Sequence, residues 1–280
     1  MKSRLILIAP LAMILLSGCF SVIGGNHSVS NGNDSDATVK KEIKIGEFNE
    51  VVASQSIKVI FEQGSNPGKA FVATTPSAEK YLKVTVSENK LKVYYDVKQD
   101  DHSVKIKGPS IVKVSSPSLA NINLYSGAEM KVNGDYIGNE SLSVNVSSGA
   151  EFKAKGDFNC KGKLNLGLSS AASFEARSIA CDRLKIEISS GADLDVKNLS
   201  GNLTVNASSG SDVEIDDANC ETISLGASSG SDIKIENINS EEIYAQASSG
   251  ADITLQGVTN KLKQNASSGG SIKTSKLTVK

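Results

Sequence analysis

One phrase, Ser-Ser-Gly-(Ala/Ser)-(Asp/Glu) followed by an apolar residue, recurs with small variations from Tyr125 to the C-terminus. Its glycine column reads Gly127, Gly149, Gly191, Gly210, Gly230, Gly250 and Gly269, with Ala171 standing in once. Successive copies are therefore 22, 22, 20, 19, 20, 20 and 19 residues apart. A fixed period near 20 residues marks one supersecondary unit stacked on itself. A unit too small to bury its own apolar face has to be covered by copies on both sides.

Inside each period the apolar residues alternate, as strands require. After Gly210, Val213 and Ile215 share a face. Ala218 follows a polar pair, and Ile223, Leu225 and Ala227 lead into the next Ser-Ser-Gly. Neighbouring copies keep these columns: Phe152, Phe174, Leu194, Val213, Ile233 and Ile253 after the corner, then Leu164, Leu184, Leu203, Ile223, Ile243 and Leu262. No repeat has room for an ordinary helix, and the stack contains no two-residue hairpin signal. Like strands must then pair in parallel, roughly 4.8 Å apart. The expectation is an all-β chain, a right-handed parallel β-helix (β-solenoid) with about 20 residues per coil, its hand taken from the usual sense of parallel crossovers.

The N-terminus has Lys2 and Arg4, an apolar run from Leu5 to Leu16, then Leu16-Ser17-Gly18-Cys19. This is the layout of a secretory signal, and the run is too short to be read as a spanning helix. The last four residues resemble the lipobox of bacterial lipoproteins. That resemblance implies a signal peptide over residues 1–18, cleavage before Cys19, lipid on its thiol and an outer-membrane address, since Phe20 rather than aspartate follows. An ordinary signal peptide with a chance cysteine is the alternative. Residues 19–40, rich in Ser, Gly, Asn and Asp, read as a flexible tether.

Residues 41–280 read as the folded domain, with 41–103 as N-terminal strands that form the first coils plus an insertion capping the stack, and 104–280 as regular coils. Glu88-Asn89-Lys90 between two alternating runs is a hairpin signal. Gly108, 19 residues before Gly127, fits the corner column and predicts the first regular coil.

By these residues the chain resembles the putative auto-transporter adhesin, head GIN domain family of bacterial envelope proteins. The resemblance is carried by corners such as Ser209-Gly210-Ser211-Asp212, Ser229-Gly230-Ser231-Asp232 and Ser249-Gly250-Ala251-Asp252, and it extends from about Phe48 to the C-terminus. It implies a β-helix displayed at the envelope and brings no catalytic residues.

The formal net charge is −1, and Arg177 and Arg183 are the only arginines beyond the leader. With no basic stripe interleaved with aromatics, nucleic acid is not an expected partner. The sole histidines are His27 and His102, outside the repeats, so the serine columns have no base and no catalytic residue is assigned. No cofactor is expected. A β-helix polysaccharide lyase or hydrolase is the enzymatic alternative, although coils of near-constant length offer no loop walls for a cleft.

Candidate binding residues are the carboxylate column, Asp193, Asp212, Asp232 and Asp252, and Tyr244 on an otherwise flat polar face that could meet a glycan or protein ligand. The column can stay solvated or hold calcium, but calcium wants six to eight oxygens and each coil offers one carboxylate. Cys160 and Cys181 fall on adjacent coils. They can be buried thiols or, within reach of each other in an oxidising compartment, a disulfide. The C-terminal coil presents an open edge through which copies could associate, and Lys273, Lys276 and Lys280 are placed to discourage this.

Overall fold

The computed structural model describes residues 28–30, 37–64, 68–98, 104–138 and 141–280. In chain order the strands begin with β1 (Ser28–Ser30), β2 (Val39–Lys44), β3 (Glu50–Ala53), β4 (Lys58–Gln63) and β5 (Lys69–Thr74). A single turn of helix, α1 (Pro76–Glu79), precedes β6 (Leu82–Ser87), β7 (Lys90–Tyr95), β8 (Lys105–Lys107), β9 (Ile111–Ser116), β10 (Asn121–Leu124), β11 (Glu129–Val132), β12 (Tyr136–Gly138) and β13 (Leu142–Ser147). Long bent strands follow, one coil each: β14 (Glu151–Ser169), β15 (Ser173–Ile188), β16 (Asp193–Ala207), β17 (Asp212–Ala227), β18 (Asp232–Ala247), β19 (Asp252–Ala266) and the shorter β20 (Ser271–Val279). Together they form a parallel β-solenoid of about eight turns.

Each regular coil has three inward-facing runs. In β17 they are Val213 and Ile215, then Ala218 and Cys220, then Ile223, Leu225 and Ala227, all buried. The register stacks like on like: Val213 pairs with Leu194 below and Ile233 above, Ile223 with Leu203 and Ile243. The core is aromatic towards the N-terminal coils. There Phe152 stacks on Phe174 at 4.8 Å and meets Phe158 edge-on at 5.6 Å, while Tyr136 stacks on Phe158 at 4.9 Å. The Tyr136 hydroxyl donates to the Leu119 carbonyl (3.1 Å) and accepts from the Leu119 amide (3.0 Å), so its polar end is satisfied inside the core.

The Ser-Gly phrase is the corner that closes each coil. Two consecutive residues take positive φ, for example Ser148 (57°) and Gly149 (69°), and the Ala150 amide donates back to the Ser147 carbonyl at 3.3 Å. Both central residues in the left-handed region make this a primed turn. The glycine amide then points to the next coil: Gly149 donates to Ser170 O (2.9 Å), Gly210 to Ser229 O (3.1 Å) and Gly230 to Ser249 O (3.1 Å). The residue after the glycine is buried and small because the turn folds it onto the core, as at Ala150, Ala192, Ser211 and Ala251.

At the N-terminal end the layers do not follow chain order. Residues 50–63 lie inside the stack, with β3 paired to both β7 and β10 and β4 to both β9 and β11. Their corner is Gln55–Ser56 (φ 62° and 58°), which carries no glycine, and the Ser56 amide donates to Ser126 O at 3.0 Å. Gly108 is not a coil corner. It turns the chain ahead of β9 with φ 85°, where an added Cβ would come within 2.5 Å of Thr75 Cγ2. Alternation alone cannot order these segments, since Val112 and Val114 of β9 fit the same inward columns as Val59 and Phe61 of β4.

Antiparallel strands close this end. β5 pairs with β9, β2 with β5, and the β6–β7 hairpin turns at Glu88–Asn89. Within the segment read as tether, β1 pairs in parallel with β8. The signal peptide and Cys19 lie outside the described residues. At the other end, among the described residues, β20 pairs with β19 alone. There Gln264 occupies the column held by Leu225 and Ala245, and Val279 is 50% exposed, so the last inward positions meet solvent.

The glycines differ in what they permit. At Gly149 nothing lies within 4 Å of an added Cβ, whereas at Gly201 (φ 123°) that atom would sit 1.8 Å from the Cys181 carbonyl oxygen. Gly149→Ala should cost about 1–2 kcal/mol, the price of a left-handed alanine, a conformation Ala171 already adopts. Gly201→Ala should lose severalfold more or fail to fold in urea unfolding, and equal losses would contradict this geometry.

Candidate binding surfaces

The carboxylate column runs along the first face of the coils, one residue past the buried small position. Asp193, Asp212, Asp232 and Asp252 are directly paired from coil to coil, which puts like charges roughly one strand spacing, 4.8 Å, apart. Lysines compensate both ends of the column. Lys273 Nζ is 3.4 Å from Asp252, Lys58 and Lys131 flank Glu129 at 3.4 and 2.7 Å, and Lys153 holds Glu151 at 2.8 Å. Asp232, in the middle, has its carboxyl raised above the usual range by desolvation, then by Asp212 and Asp252, with Lys273 opposing.

Further along this face lysines bridge acids of neighbouring columns and coils. Lys197 bridges Asp195 (3.1 Å) and Asp216 (3.3 Å), and Lys234 bridges Glu214 and Glu236, both at 2.8 Å. Among the described residues no group of three or more His, Cys, Asp or Glu converges as a metal site. The acidic column is a single file, each carboxylate paired with its counterparts on the adjacent coils.

Tyr244 lies on the third face, so the structure does not bring it together with the carboxylate column. Its ring is covered by Lys263, whose Nζ is 4.8 Å from the ring centre and 3.2 Å from Glu242. The Tyr244 hydroxyl and then Lys263 hold the Glu242 carboxyl below its ordinary value. The aromatic that sequence reading offered as a ligand platform is thus engaged within the protein. Elsewhere this face is flat and amide-rich: Asn145 Nδ2 donates to Asn123 Oδ1 at 3.1 Å, and a Cβ at Gly167 would meet Asn145 Oδ1 at 2.7 Å.

Sequence reading missed the second face. A shallow groove of about 360 Å³ crosses four coils there, with Ser178, Asn198, Ser200, Asp217, Asn219 and Asn239 over a floor of Ile179, Leu199 and Ala218. Asn239 Nδ2 donates to Asn219 Oδ1 at 3.1 Å, and Asn237 takes a positive φ of 43°. The signal was present as Asn and Ser recurring between the first and third apolar runs.

The serine columns do structural work. The hydroxyls of Ser211 and Ser231, after the glycine, donate to the Ile188 (3.3 Å) and Ala207 (3.0 Å) carbonyls, and Ser231 Oγ accepts from the Ser228 amide at 3.1 Å. Cys160 and Cys181 occupy directly paired positions, and Cys160, Cys181 and Cys220 are thiols with no disulfide between them. Burial, then neighbouring thiols, pushes Cys181 and Cys220 up to about 12.

The family model described as putative auto-transporter adhesin, head GIN domain, matches residues 47–236 and 203–280. The chain belongs to this family. Solved structures similar to this GIN-family chain share its fold. A protein from Parabacteroides distasonis described as a putative lipid binding protein aligns with TM-score 0.73 and 16% identity, over 88% of this chain and 99% of its own. A putative adhesin from Parabacteroides merdae gives 0.69 and 18% over 88% and 98%, and one from Bacteroides fragilis 0.58 and 16% over 84% and 95%. No curated protein shows significant similarity to the chain.

Two outcomes follow from these surfaces. A carboxyl that holds its proton more tightly folded than unfolded favours the native state at low pH and loses that contribution as pH rises through its raised value. Asp232→Asn should therefore raise the thermal midpoint at pH 7, and the gain should vanish below about pH 4, where aspartates are protonated in both states. The thiols should resist a disulfide reagent at pH 8 and all react once the chain is unfolded in guanidinium. Titration of fewer than three described thiols after unfolding would instead reveal a bridge.

Proposed function

We propose that this chain is a lipid-anchored, non-enzymatic protein of the bacterial cell envelope, held at the outer membrane through Cys19, with its solenoid acting as an adhesin-like binding module. The leader, the lipobox-like Leu16-Ser17-Gly18-Cys19 and membership in an adhesin head family support the address and the role.

The observation that carries the binding role is the strict register of the coils. It repeats the same amide, hydroxyl or carboxylate group at one strand spacing along each outer face. A repetitive surface suits a repetitive partner, and the Asn and Ser of the second-face groove suit the hydroxyls of a glycan chain. The unpaired edge of β20 favours a second reading, end-to-end association, which the lysines along that edge oppose.

Metabolic labelling with palmitate, cell fractionation and protease shaving of intact cells test the address. Label should be incorporated, and Cys19→Ala should lose it and leave the membrane fraction; retention of both would overturn the anchor. Loss of the domain from shaved cells would place the binding face outside, and protection would place it in the periplasm. In pull-down on insoluble cell-wall polysaccharide, Asn219→Lys should release the purified chain, and equal retention would remove the groove from the reading.

A further inference from the structure

The antiparallel cap does more than close the stack. Where β5 and β2 continue the sheet beyond β4 and β9, the outer surface forms a groove of about 1240 Å³. The strand registers lay two rows across it. One reads Glu42, Phe71, Lys113, Ile60 and the next Lys40, Ala73, Ile111, Lys58.

Phe71 is the unusual member. Its neighbours Ala70 and Val72 point into the core, while the phenyl ring is 52% exposed on the groove side. Ala73 lies beside it on β5 and pairs with the largely buried Ile111, and Ile60 stands beyond Lys113, so the ring begins an apolar strip that bends around Lys113 instead of standing alone. A contiguous exposed apolar surface rimmed by charge is the usual character of a binding groove.

The charges around the strip are unequal. Lys69 is neutralised by Glu42 at 2.7 Å, Lys41 by Glu79 at 3.0 Å and Lys58 by Glu129 at 3.4 Å. Lys40 and Lys113 have no ion-pair partner among the described residues. The remaining carboxylate, Glu62, accepts from Asn133 Nδ2 at 3.3 Å. Glu62 lies two residues along β4 from Ile60, so roughly 7 Å beyond the Phe71 row, and on the side away from Lys40. Lys113 therefore stands within the bend of the strip, between Phe71 and Ile60, and Lys40 beyond Ala73 at its β2 end.

We infer that this groove binds a single anionic amphiphile. Its acyl chain lies along Phe71 and Ala73, and its head is held by Lys113, with Lys40 adding positive charge beyond Ala73. Each element is needed: the apolar strip gives a short-chain anion nothing to bury, and the unpaired ammonium groups distinguish a charged head from a neutral ester. The inference stands apart from the lipid anchor and from the glycan reading of the second face.

The test uses the chain from residue 19 carrying Cys19→Ser, since removal of residues 1–18 touches no described element. Parinaric acid, a fatty acid that brightens on leaving water, is titrated into it and displaced by competitors. Saturable one-to-one binding is expected, with displacement by oleate but not by methyl oleate or acetate at tenfold higher concentration. Phe71→Asp and Lys113→Glu should each weaken binding at least tenfold with unchanged thermal midpoints, because both side chains face outward.

Lack of saturable binding, equal displacement by methyl oleate, or unaltered affinity in both variants would overturn the site. Co-sedimentation with phosphatidylglycerol vesicles without parinarate saturation would also overturn it, since the face would then be a membrane contact and not a ligand groove.

Discussion

Parallel, in-register hydrogen bonding between coils is the constraint on which everything else depends. Once the glycine amide of one corner donates to the serine carbonyl of the next, every residue in a coil stands over its counterpart. Apolar positions gain from this, because inward ladders such as Leu203, Ile223 and Ile243 stack like on like and stay buried. Charged positions lose, because a carboxylate meets a carboxylate. The first face carries two answers: lysines bridge acids of neighbouring columns and coils, and lysines stand at the two ends of the carboxylate column.

The regular coils were legible in the sequence because one constraint repeats: two left-handed residues at a tight corner, then a small buried residue, then alternation. Register follows once the corners are aligned. The corner of the N-terminal coil was hidden for the same reason. Gln55–Ser56 adopts the corner conformation without glycine, so no column pointed to it, and Gly108 fitted by spacing while serving another turn. Local pattern reports which residues face inward, but the order of layers is a property of long-range pairing.

The candidate surfaces show a similar division. The carboxylate column could be read directly, since a column needs only the period. Tyr244 could be named but not judged, because the lysine that covers it belongs to the next coil. The Phe71 groove requires two antiparallel strands to be laid beside two parallel ones, and no periodicity encodes that step. A hint was nonetheless present in Lys69-Ala70-Phe71-Val72-Ala73, where strict alternation leaves the largest apolar residue facing out.

The placement of residues 50–63 bears on how the molecule is made. This coil is clamped between strands drawn from residues 90–116 on one side and 121–132 on the other. A chain that emerges N-terminus first thus delivers this layer early but cannot seat it until Val132 has followed. The coils after it need only their predecessor in the chain. Assembly of the shaft can proceed layer by layer as the polypeptide appears, while the end nearest the N-terminus waits for closure of long loops, the slow class of folding event.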